Sequence, residues 1–595
     1  MLSLNTLVKP IRRLLGSLAS LALVAALLTL TSGQASADLG TGGVVWGPDT
    51  AVSTAGLDVE PESLVYDISE NGTTVVAMWA RRSAGGSMNY IMQMAVGTIG
   101  SGSQIVWGPV RDLGTQMSNS IPGAVSVSAD GLKVALVYPV DATGQGNSLF
   151  LGTANVAPVS SGSRDISNLA TSSDSMISSP NPVVVTRLRV QMSDDGSKAV
   201  ASFIWADNAN ISLRSAYYDA TAQGAGVSNG WASPVSLASL GSLSRSVALR
   251  LSPDGRTAVI VYENGDLFSY SGSVANGTLT WSQAPATIVI AGVNQQGSGG
   301  LNLEVTEDGS RGFVTWKLQE GSGPNAIATI VYLTASISGS TATWSTPAVV
   351  SRSDRDPALP NFSWFHEVVS LVMSDDGATV GVAWDRTGDD GSTYLSEVYL
   401  RLGGFTGNGF AWSGPATMIS PSGVEEYLFE LTSSTDASTM FLTSTNGNTV
   451  TRTLSVAGGN ANWSADQTTP TGPDPVFRFS PSGDRIVMMY IDNTDVGSYL
   501  GTPTFPVAPP TTAPATTSPE ITAPATTSPE TTAPATTSPE TTAPTSAPAP
   551  TTPTTVAADS LPATGRQSNS MMLNALLVTL LGATFISTKR RLRTR

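Results

Sequence analysis

The sequence predicts an all-β fold made of eight similar units, and three observations carry this prediction. The composition combines 58 Gly and 37 Pro with only 13% charged residues in a chain of 595, which is typical of loop-rich β proteins. A short hairpin phrase recurs along residues 38–505. Finally, an unmatched strand phrase stands at each end of that region, as expected for a closed ring.

Each hairpin phrase is an alternating strand, a Ser or Thr, a turn ending in Gly, and a second strand ending in an aromatic residue. The copies with a turn glycine are Ile68–Gly72, Val127–Gly131, Met192–Gly196, Leu251–Gly255, Val305–Gly309, Met373–Gly377 and Phe479–Gly483. A degenerate copy, Leu431–Asp436, lacks the glycine. Asp-Gly and Asn-Gly between apolar runs predict tight hairpins, because such turns need a residue with positive φ.

A second phrase led by tryptophan falls between the hairpins. It occurs at Trp107-Gly-Pro109, Trp231-Ala-Ser-Pro234, Trp281, Trp344-Ser-Thr-Pro347, Trp412-Ser-Gly-Pro415 and Trp463. Each unit therefore offers two hairpin strands, a third strand such as 393–402, and a Trp-led fourth strand. Four strands per repeat predict the blade of a β-propeller, whereas an immunoglobulin-like sandwich needs about 100 residues per unit.

The ends of the repeat region predict how the ring closes. Val45–Pro48 is a fourth-strand phrase with no hairpin before it, while the last hairpin has a third strand near Ser498–Thr504 but no Trp phrase after it. If the N-terminal strand completes the last blade, it accounts for both the extra fourth strand at the start and the missing fourth strand at the end, and no sheet edge stays open. We therefore expect eight four-stranded blades, or seven if the degenerate copy belongs to a neighbour's insertion.

The repeat region, residues 38–505, resembles the WD40-like and TolB-like propellers through its Ser-x-Asp-Gly hairpins. These stand at Ser193–Gly196, Ser252–Gly255 and Ser374–Gly377. The resemblance implies a fold and no particular activity.

One repeat position is aromatic in almost every copy. Its members are Trp79, Tyr138, Trp205, Tyr262, Trp316, Trp384 and Tyr490. We expect a buried column that packs blade on blade, in preference to a sugar-binding array. The acid–Gly turns are read as hairpins rather than calcium loops, because they lack the spaced extra carboxylates that calcium requires. The acidic stretch Asp385–Gly391 is the best calcium alternative.

A polar column is predicted on the innermost strands, each member between two apolar residues. It comprises Asp67, Ser126, Gln191, Arg250, Glu304, Val372, Glu430 and Arg478. Strand alternation turns these side chains away from the core and toward the central channel. Asp67, Gln191, Arg250, Glu304, Glu430 and Arg478 are the candidate ligand-binding residues. A self-paired, solvated channel wall is the alternative.

The first 37 residues are predicted to be a signal peptide. Lys9, Arg12 and Arg13 precede the apolar run Leu14–Leu30, and Ala35-Ser36-Ala37 provides an A-x-A cleavage site. A retained membrane helix is the alternative.

Residues 506–560 form a predicted stalk. The decamer starting at Thr511 recurs at 521–530 and 531–540 and then decays into Ala, Pro and Thr. Such a tract has too few apolar residues for a core, and its prolines favour an extended, disordered chain. Its hydroxyl groups suggest O-glycosylation, although a bare spacer would have the same composition.

Residues 561–595 contain Leu561-Pro562-Ala563-Thr564-Gly565, the apolar run Met571–Ile586 and a basic tail. This order resembles the LPxTG sorting signal of wall-anchored proteins of Gram-positive bacteria. The resemblance implies that a sortase binds transiently, cuts between Thr564 and Gly565, and links Thr564 to peptidoglycan. The chain would thus pass through the membrane as a precursor and end on the outer cell surface. A simple C-terminal membrane anchor is the alternative.

The charge balance excludes some partners. The formal charge is −15, and removing the nine basic residues of the two predicted end signals leaves 30 − 9 = 21 basic against 45 acidic residues, or −24. Nucleic acid and anionic membranes are therefore poor partners.

The residue types also limit the chemistry. No cysteine and a single histidine, His366, argue against zinc sites and a Ser–His nucleophile. We expect a monomeric, non-enzymatic surface protein that binds an extracellular ligand, with no cofactor, metal or catalytic residue. An extracellular hydrolase or lyase acting on a glycan or polymer is the alternative, and a passive wall-layer protein comes third.

Overall fold

A computed structural model describes residues 39–505 with internal gaps. The gaps are 41, 54–57, 61–62, 83–89, 118–121, 141–147, 160–161, 168, 170–175, 178–182, 208–209, 222–226, 229, 242–245, 289–299, 321–326, 353–362, 366–368, 390–393, 408, 421–425, 447, 458–459, 471–474 and 493–494. The predicted signal peptide, stalk and sorting signal lie outside the described residues. Among the described residues, no helix has the length and hydropathy needed to span a membrane.

The described chain forms eight sheets of four antiparallel strands each, which are the blades, numbered 1 to 8 in chain order; a short parallel segment, Leu39–Gly40, adds to blade 7. The innermost strands are Val65–Ile68, Ala124–Val127, Val184–Met192, Val247–Leu251, Asn302–Val305, Val369–Met373, Tyr427–Ser433 and Val476–Phe479. The second strands are Thr74–Arg82, Lys133–Val140, Lys198–Ala206, Thr257–Asn264, Arg311–Glu320, Val380–Asp389, Thr439–Thr445 and Ile486–Asp492. The third strands are Tyr90–Ile99, Ser148–Pro158, Ile211–Asp219, Asp266–Ala275, Ile327–Ser338, Tyr394–Thr406, Thr449–Ala457 and Asp495–Thr504.

The fourth, outermost strand of every blade consists of two segments. For blades 1 to 4 they are Ile105–Trp107 and Arg111–Met117, Arg164–Ser167 and Met176–Ile177, Trp231–Ala232 and Val235–Ser239, and Thr278–Trp281 and Ala286–Ile288. For blades 5 to 8 they are Thr341–Trp344 and Ala348–Arg352, Gly409–Trp412 and Thr417–Met418, Asn460–Ser464 and Gln467–Thr468, and Gly43–Trp46 and Thr50–Ala51. In six blades a proline stands in the gap: Pro48, Pro109, Pro234, Pro285, Pro347 and Pro415. Proline has no N–H for the ladder and therefore splits the strand.

Three short segments add to blades 3, 6 and 7. They are Val227–Ser228, Ser363–Phe365 and Leu39–Gly40.

The ring closes as the sequence predicts. The innermost strands of successive blades lie side by side, and that of blade 8 returns to that of blade 1. The N-terminal strand Gly43–Trp46 pairs antiparallel with Thr504 to Gly501 and completes blade 8. The prediction of eight blades is confirmed, and the degenerate copy forms the inner hairpin of blade 7.

The hairpin turns of blades 1 to 7 share one set of hydrogen bonds, whereas in blade 8 Ser480 Oγ donates to Asp484 beyond the turn glycine. In blade 3, Ser193 Oγ donates to Asp195 Oδ1 over 2.7 Å, while the same carboxylate accepts the Ser197 N–H over 2.9 Å. The turn glycines take φ between 62° and 76°, the left-handed conformation that the sequence predicts. In blade 7 the turn persists with Ala437 at φ 48°.

The core lies between adjacent blades, where the predicted aromatic column is buried. Its seven side chains are between 0% and 8% exposed, so the packing interpretation is confirmed. One cluster joins Met78 and Met94 of blade 1 to Leu136 and Tyr138 of blade 2, which shows how the sheets stack.

Candidate ligand-binding channel

A central cavity of about 640 Å³ runs along the innermost strands and is lined by residues from all eight blades. The six candidate ligand-binding residues, Asp67, Gln191, Arg250, Glu304, Glu430 and Arg478, all lie on its wall. Alternation places them there, because flanking residues such as Leu249 and Leu251 are buried in the core. The cavity is in the size range of small-molecule sites.

Two of the predicted residues form an ion pair between blades 4 and 5. Arg250 donates from Nε and Nη2 to the two carboxylate oxygens of Glu304, over 2.8 and 2.5 Å. Both side chains remain partly exposed to the channel, at 36% and 22%. Desolvation is the largest influence on the pKa of Arg250 and lowers it, but the charge and the hydrogen bonds of Glu304 together outweigh desolvation and the net shift is upward. Because Nε and Nη2 of Arg250 both donate to Glu304, this pair of N–H groups is not available for bidentate binding of a ligand.

A second ion pair joins Arg478 of blade 8 to Glu430 of blade 7. Burial raises the pKa of the Glu430 carboxyl, and Arg478 only partly offsets that shift. The guanidinium also lies over the Tyr66 ring, 5.8 Å from its centre. Tyr66 donates its hydroxyl to the carbonyl of Val487 over 2.7 Å, so this group also connects blade 8 to blade 1.

Other members of the column hold neighbouring blades together. Asp67 accepts the Val127 N–H over 2.9 Å, and Ser126 Oγ accepts the Met192 N–H over 3.1 Å. Burial raises the pKa of Asp67 despite this hydrogen bond. Val372 is buried at 7% exposure. Much of the predicted column is therefore self-paired or structural, which was the alternative interpretation.

Gln191 and a residue that the sequence interpretation missed, Arg189, differ from the rest. Both lie on the innermost strand of blade 3 and on the cavity wall. Arg189 is exposed to the channel, and its side chain donates only to the carbonyl of its neighbour Leu188, over 2.9 Å. Within the described part of the chain, no ion pair forms at Arg189 and no hydrogen bond at the Gln191 side chain. The repeat pattern identifies one inward position per blade, and Arg189 is a second inward residue on a longer strand, so the pattern does not indicate it.

The C-terminal ends of the innermost strands carry an acidic ring, defined as Glu70, Asp194, Glu307 and Asp375. Each is the residue after the Ser or Thr of a hairpin turn. Burial raises the pKa of Asp194 to about 6 and that of Asp375 to about 7, with further contributions from Glu70 and Glu307. These four carboxylates therefore repel one another across this end of the channel.

Backbone hydrogen bonds between turns fix the acidic ring in place. The residues after the Ser or Thr donate to the equivalent carbonyl of the next blade, as in Asp194 N–H to Pro253 and Asp375 N–H to Thr435, both over 2.9 Å. The chain of bonds stops at Pro253 and Pro481, which have no N–H to donate. At those two blade junctions the Arg250–Glu304 pair and Tyr66 supply side-chain links instead.

Among the described residues, no three His, Cys, Asp or Glu side chains are grouped so as to hold a metal ion. In the predicted calcium alternative, Asp385 is fully buried, and residues 390 and 391 lie outside the described part.

Comparisons with known proteins give low-identity similarities to solved structures and no family. No known family profile and no curated protein matches the chain. Among solved structures, Sqt1 of Chaetomium thermophilum is 14% identical with a TM-score of 0.42, covering 76% of this chain and 98% of its own. The β-propeller domain of Cps50 (Swd1) from Myceliophteria thermophila is 9% identical, with a TM-score of 0.33 and coverage of 76% and 99%. A prolyl endopeptidase is 14% identical, with a TM-score of 0.36 and coverage of 73% and 54%.

Proposed function

We propose that this chain is a cell-wall-anchored surface protein whose propeller binds an extracellular ligand in its central channel. The observation that carries the binding role is the channel itself. It is about 640 Å³ in volume and is lined by every blade. Among the described residues, Arg189 on its wall has no carboxylate partner and the Gln191 side chain has no hydrogen bond, so both are available to a ligand, whereas Arg250 and Arg478 are already held in ion pairs.

Wall anchoring rests on the three-part C-terminal signal and the N-terminal leader. In this proposal the leader directs export, the stalk carries the propeller away from the membrane, and sortase joins Thr564 to peptidoglycan. The strongly acidic mature chain fits a partner other than nucleic acid.

Cell fractionation tests the anchoring. Leu561→Ala and Thr564→Ala should each move the protein from the wall fraction to the membrane or the medium, because sortase reads those side chains. Thr555→Ala, in the stalk, is the matched control and should stay in the wall. Unchanged wall linkage in both pentapeptide variants would contradict the sortase assignment.

A second candidate function, an extracellular hydrolase or lyase, is favoured by one observation. The channel contains two carboxyls, Asp67 and Glu430, whose pKa values are raised by burial. A carboxyl with a raised pKa can serve as a general acid. Incubation of the full chain with polysaccharides distinguishes the two proposals. Product formation that is lost in Glu430→Gln or Asp67→Asn would favour the enzyme, whereas stoichiometric binding without product supports the binding module.

A further inference from the structure

Blade 3 presents a cation to the channel that no carboxylate of the described residues neutralises. Arg250 and Arg478 are each held by a glutamate, whereas Arg189 contacts only a backbone carbonyl. Gln191 lies two residues further along the same strand and therefore on the same face. Together they offer several N–H donors and one amide oxygen to the channel.

The backbone beside Arg189 is strained in a way that the other innermost strands, as far as described, do not share. The strand Val184–Met192 has a β-bulge between Thr186 and Arg189, and Arg187 within it has φ 56°. A positive φ in a residue with a side chain costs about 1–2 kcal/mol and persists where the surroundings or the function require it. Bulges are common next to binding sites, since they re-aim side chains.

The electrostatic surroundings at this wall favour an anion. Arg189 is open to the channel, but the surrounding walls desolvate it and so lower its pKa, and the nearby charges of Arg187 and Arg250 lower the pKa further. A guanidinium keeps its proton under these conditions, so the repulsion is relieved when a negative ligand group binds. A carboxylate or sulfate can accept two parallel N–H bonds from the guanidinium.

Blade 7 stands opposite blade 3, four positions around the ring of eight, and it has the second bulge among the described innermost strands. There Phe429 is displaced between Leu428 and Glu430 and is 41% exposed. Phe429 is not among the residues that line the cavity, but Glu430 at this bulge lies on the cavity wall. Its carboxylate can accept hydrogen bonds from ligand hydroxyl groups, which is the chemistry of a sugar ring.

We infer that Arg189 and Gln191 form an anion-binding subsite that takes the carboxylate or sulfate group of an acidic sugar. The guanidinium binds the anionic group, the amide binds a neighbouring hydroxyl, and the ring extends toward blade 7. This inference rests on the proposed ligand-binding function and names the ligand class for the same channel.

Calorimetric titration of the full chain with glucuronate, glucose and glucose 6-sulfate tests the subsite. The wild type should bind one or both anionic sugars at least about tenfold more tightly than glucose, as expected for one charge-assisted pair. Glucuronate and glucose 6-sulfate distinguish the two anionic groups. Arg189→Gln should abolish the preference and leave glucose binding unchanged, whereas Arg189→Lys should retain part of it.

Arg256→Gln is the matched control, because Arg256 is an exposed arginine on a hairpin turn outside the channel wall. If Arg189→Gln fails to fold, the salt dependence of the wild type replaces it: binding of the anionic sugars should weaken with added salt and glucose binding should not.

The inference is overturned if none of the three sugars binds, if all bind equally, or if Arg189→Gln retains the full preference. A neutral ligand found by array screening whose binding ignores Arg189→Gln would overturn the subsite and leave the proposed function standing. Failure of every ligand class on the array would contradict the proposed function itself.

Discussion

Substitution of the turn glycine Gly309 by alanine should destabilise the propeller much more than the same change in another turn of blade 5. Gly309 has φ 67°, and a Cβ there would lie 2.5 Å from Thr257 Cβ and Oγ1 of the preceding blade. Gly339 has φ 58°, but a Cβ there would have no atom within 4 Å. The two positions thus share the backbone requirement and differ in the contact between blades.

The two effects can be separated in magnitude. The left-handed conformation costs alanine about 1–2 kcal/mol, and the loss of unfolded-state freedom returns about 0.4–1 kcal/mol at either site. Overpacking against Thr257 adds about 1–3 kcal/mol at Gly309 alone. We therefore expect Gly339→Ala to cost under about 1.5 kcal/mol and Gly309→Ala about 2 kcal/mol more.

Urea denaturation of the full chain, followed by tryptophan fluorescence, measures the difference in the free energy of unfolding. A third variant, Gly309→Ala with Thr257→Gly, removes both the Cβ and the Oγ1 that the alanine would meet, so the two changes together should cost less than the sum of their separate costs. Equal destabilisation by Gly309→Ala and Gly339→Ala would refute the claim that Gly309 packs closely against Thr257 of the preceding blade.

Two further predictions concern charged groups. Arg452 and Glu426 form an ion pair in blade 7 with both side chains fully buried, so Arg452→Met should lower the free energy of unfolding by about 3–5 kcal/mol, and Arg452→Met with Glu426→Gln should recover much of it in urea titrations. Full additivity of the two changes would contradict this coupling. In the acidic ring, the raised pKa values of Asp194 and Asp375 mean that the folded state binds more protons than the unfolded chain between about pH 4 and 7. Stability should therefore rise as the pH falls from 8 to 5, by about 1 kcal/mol per group after solvent screening, and Asp375→Asn should stabilise the protein at pH 8 and flatten the profile. A profile that is unchanged by Asp375→Asn would count against this assignment.

The blade architecture was predictable because each local signal repeats. Turn glycines such as Gly196 and buried aromatics such as Trp205 recur in register, and the unmatched strand at Gly43–Trp46 shows where the ring closes. The turn of blade 7 lacks the glycine that marks the other turns. Ala437 nevertheless adopts φ 48° there, with the same hydrogen bonds around it. Backbone hydrogen bonds at Thr435, which accepts from Asp375 and donates to Pro481, join this turn to the turns of both neighbouring blades.

The channel was predictable in position but not in chemistry. Alternation identified Arg250 and Glu304 as inward residues, yet their pairing joins side chains 54 positions apart in the sequence. Arg189 was missed because it lies on an innermost strand that extends past a bulge, and no local pattern signals a bulge around Arg187. Which polar groups lack partners follows only from the three-dimensional arrangement of all eight blades.

Binding to an array of glycans and matrix proteins, by the full chain and by Gln191→Trp, tests most directly whether the channel is the ligand site. The tryptophan side chain would fill the channel beside Arg189, where the Gln191 amide has no hydrogen bond to the described protein. Our account predicts that the wild type binds one class of ligand and that Gln191→Trp melts at nearly the same temperature but no longer binds. Undiminished binding by a folded Gln191→Trp variant would show that the ligand lies elsewhere on the propeller.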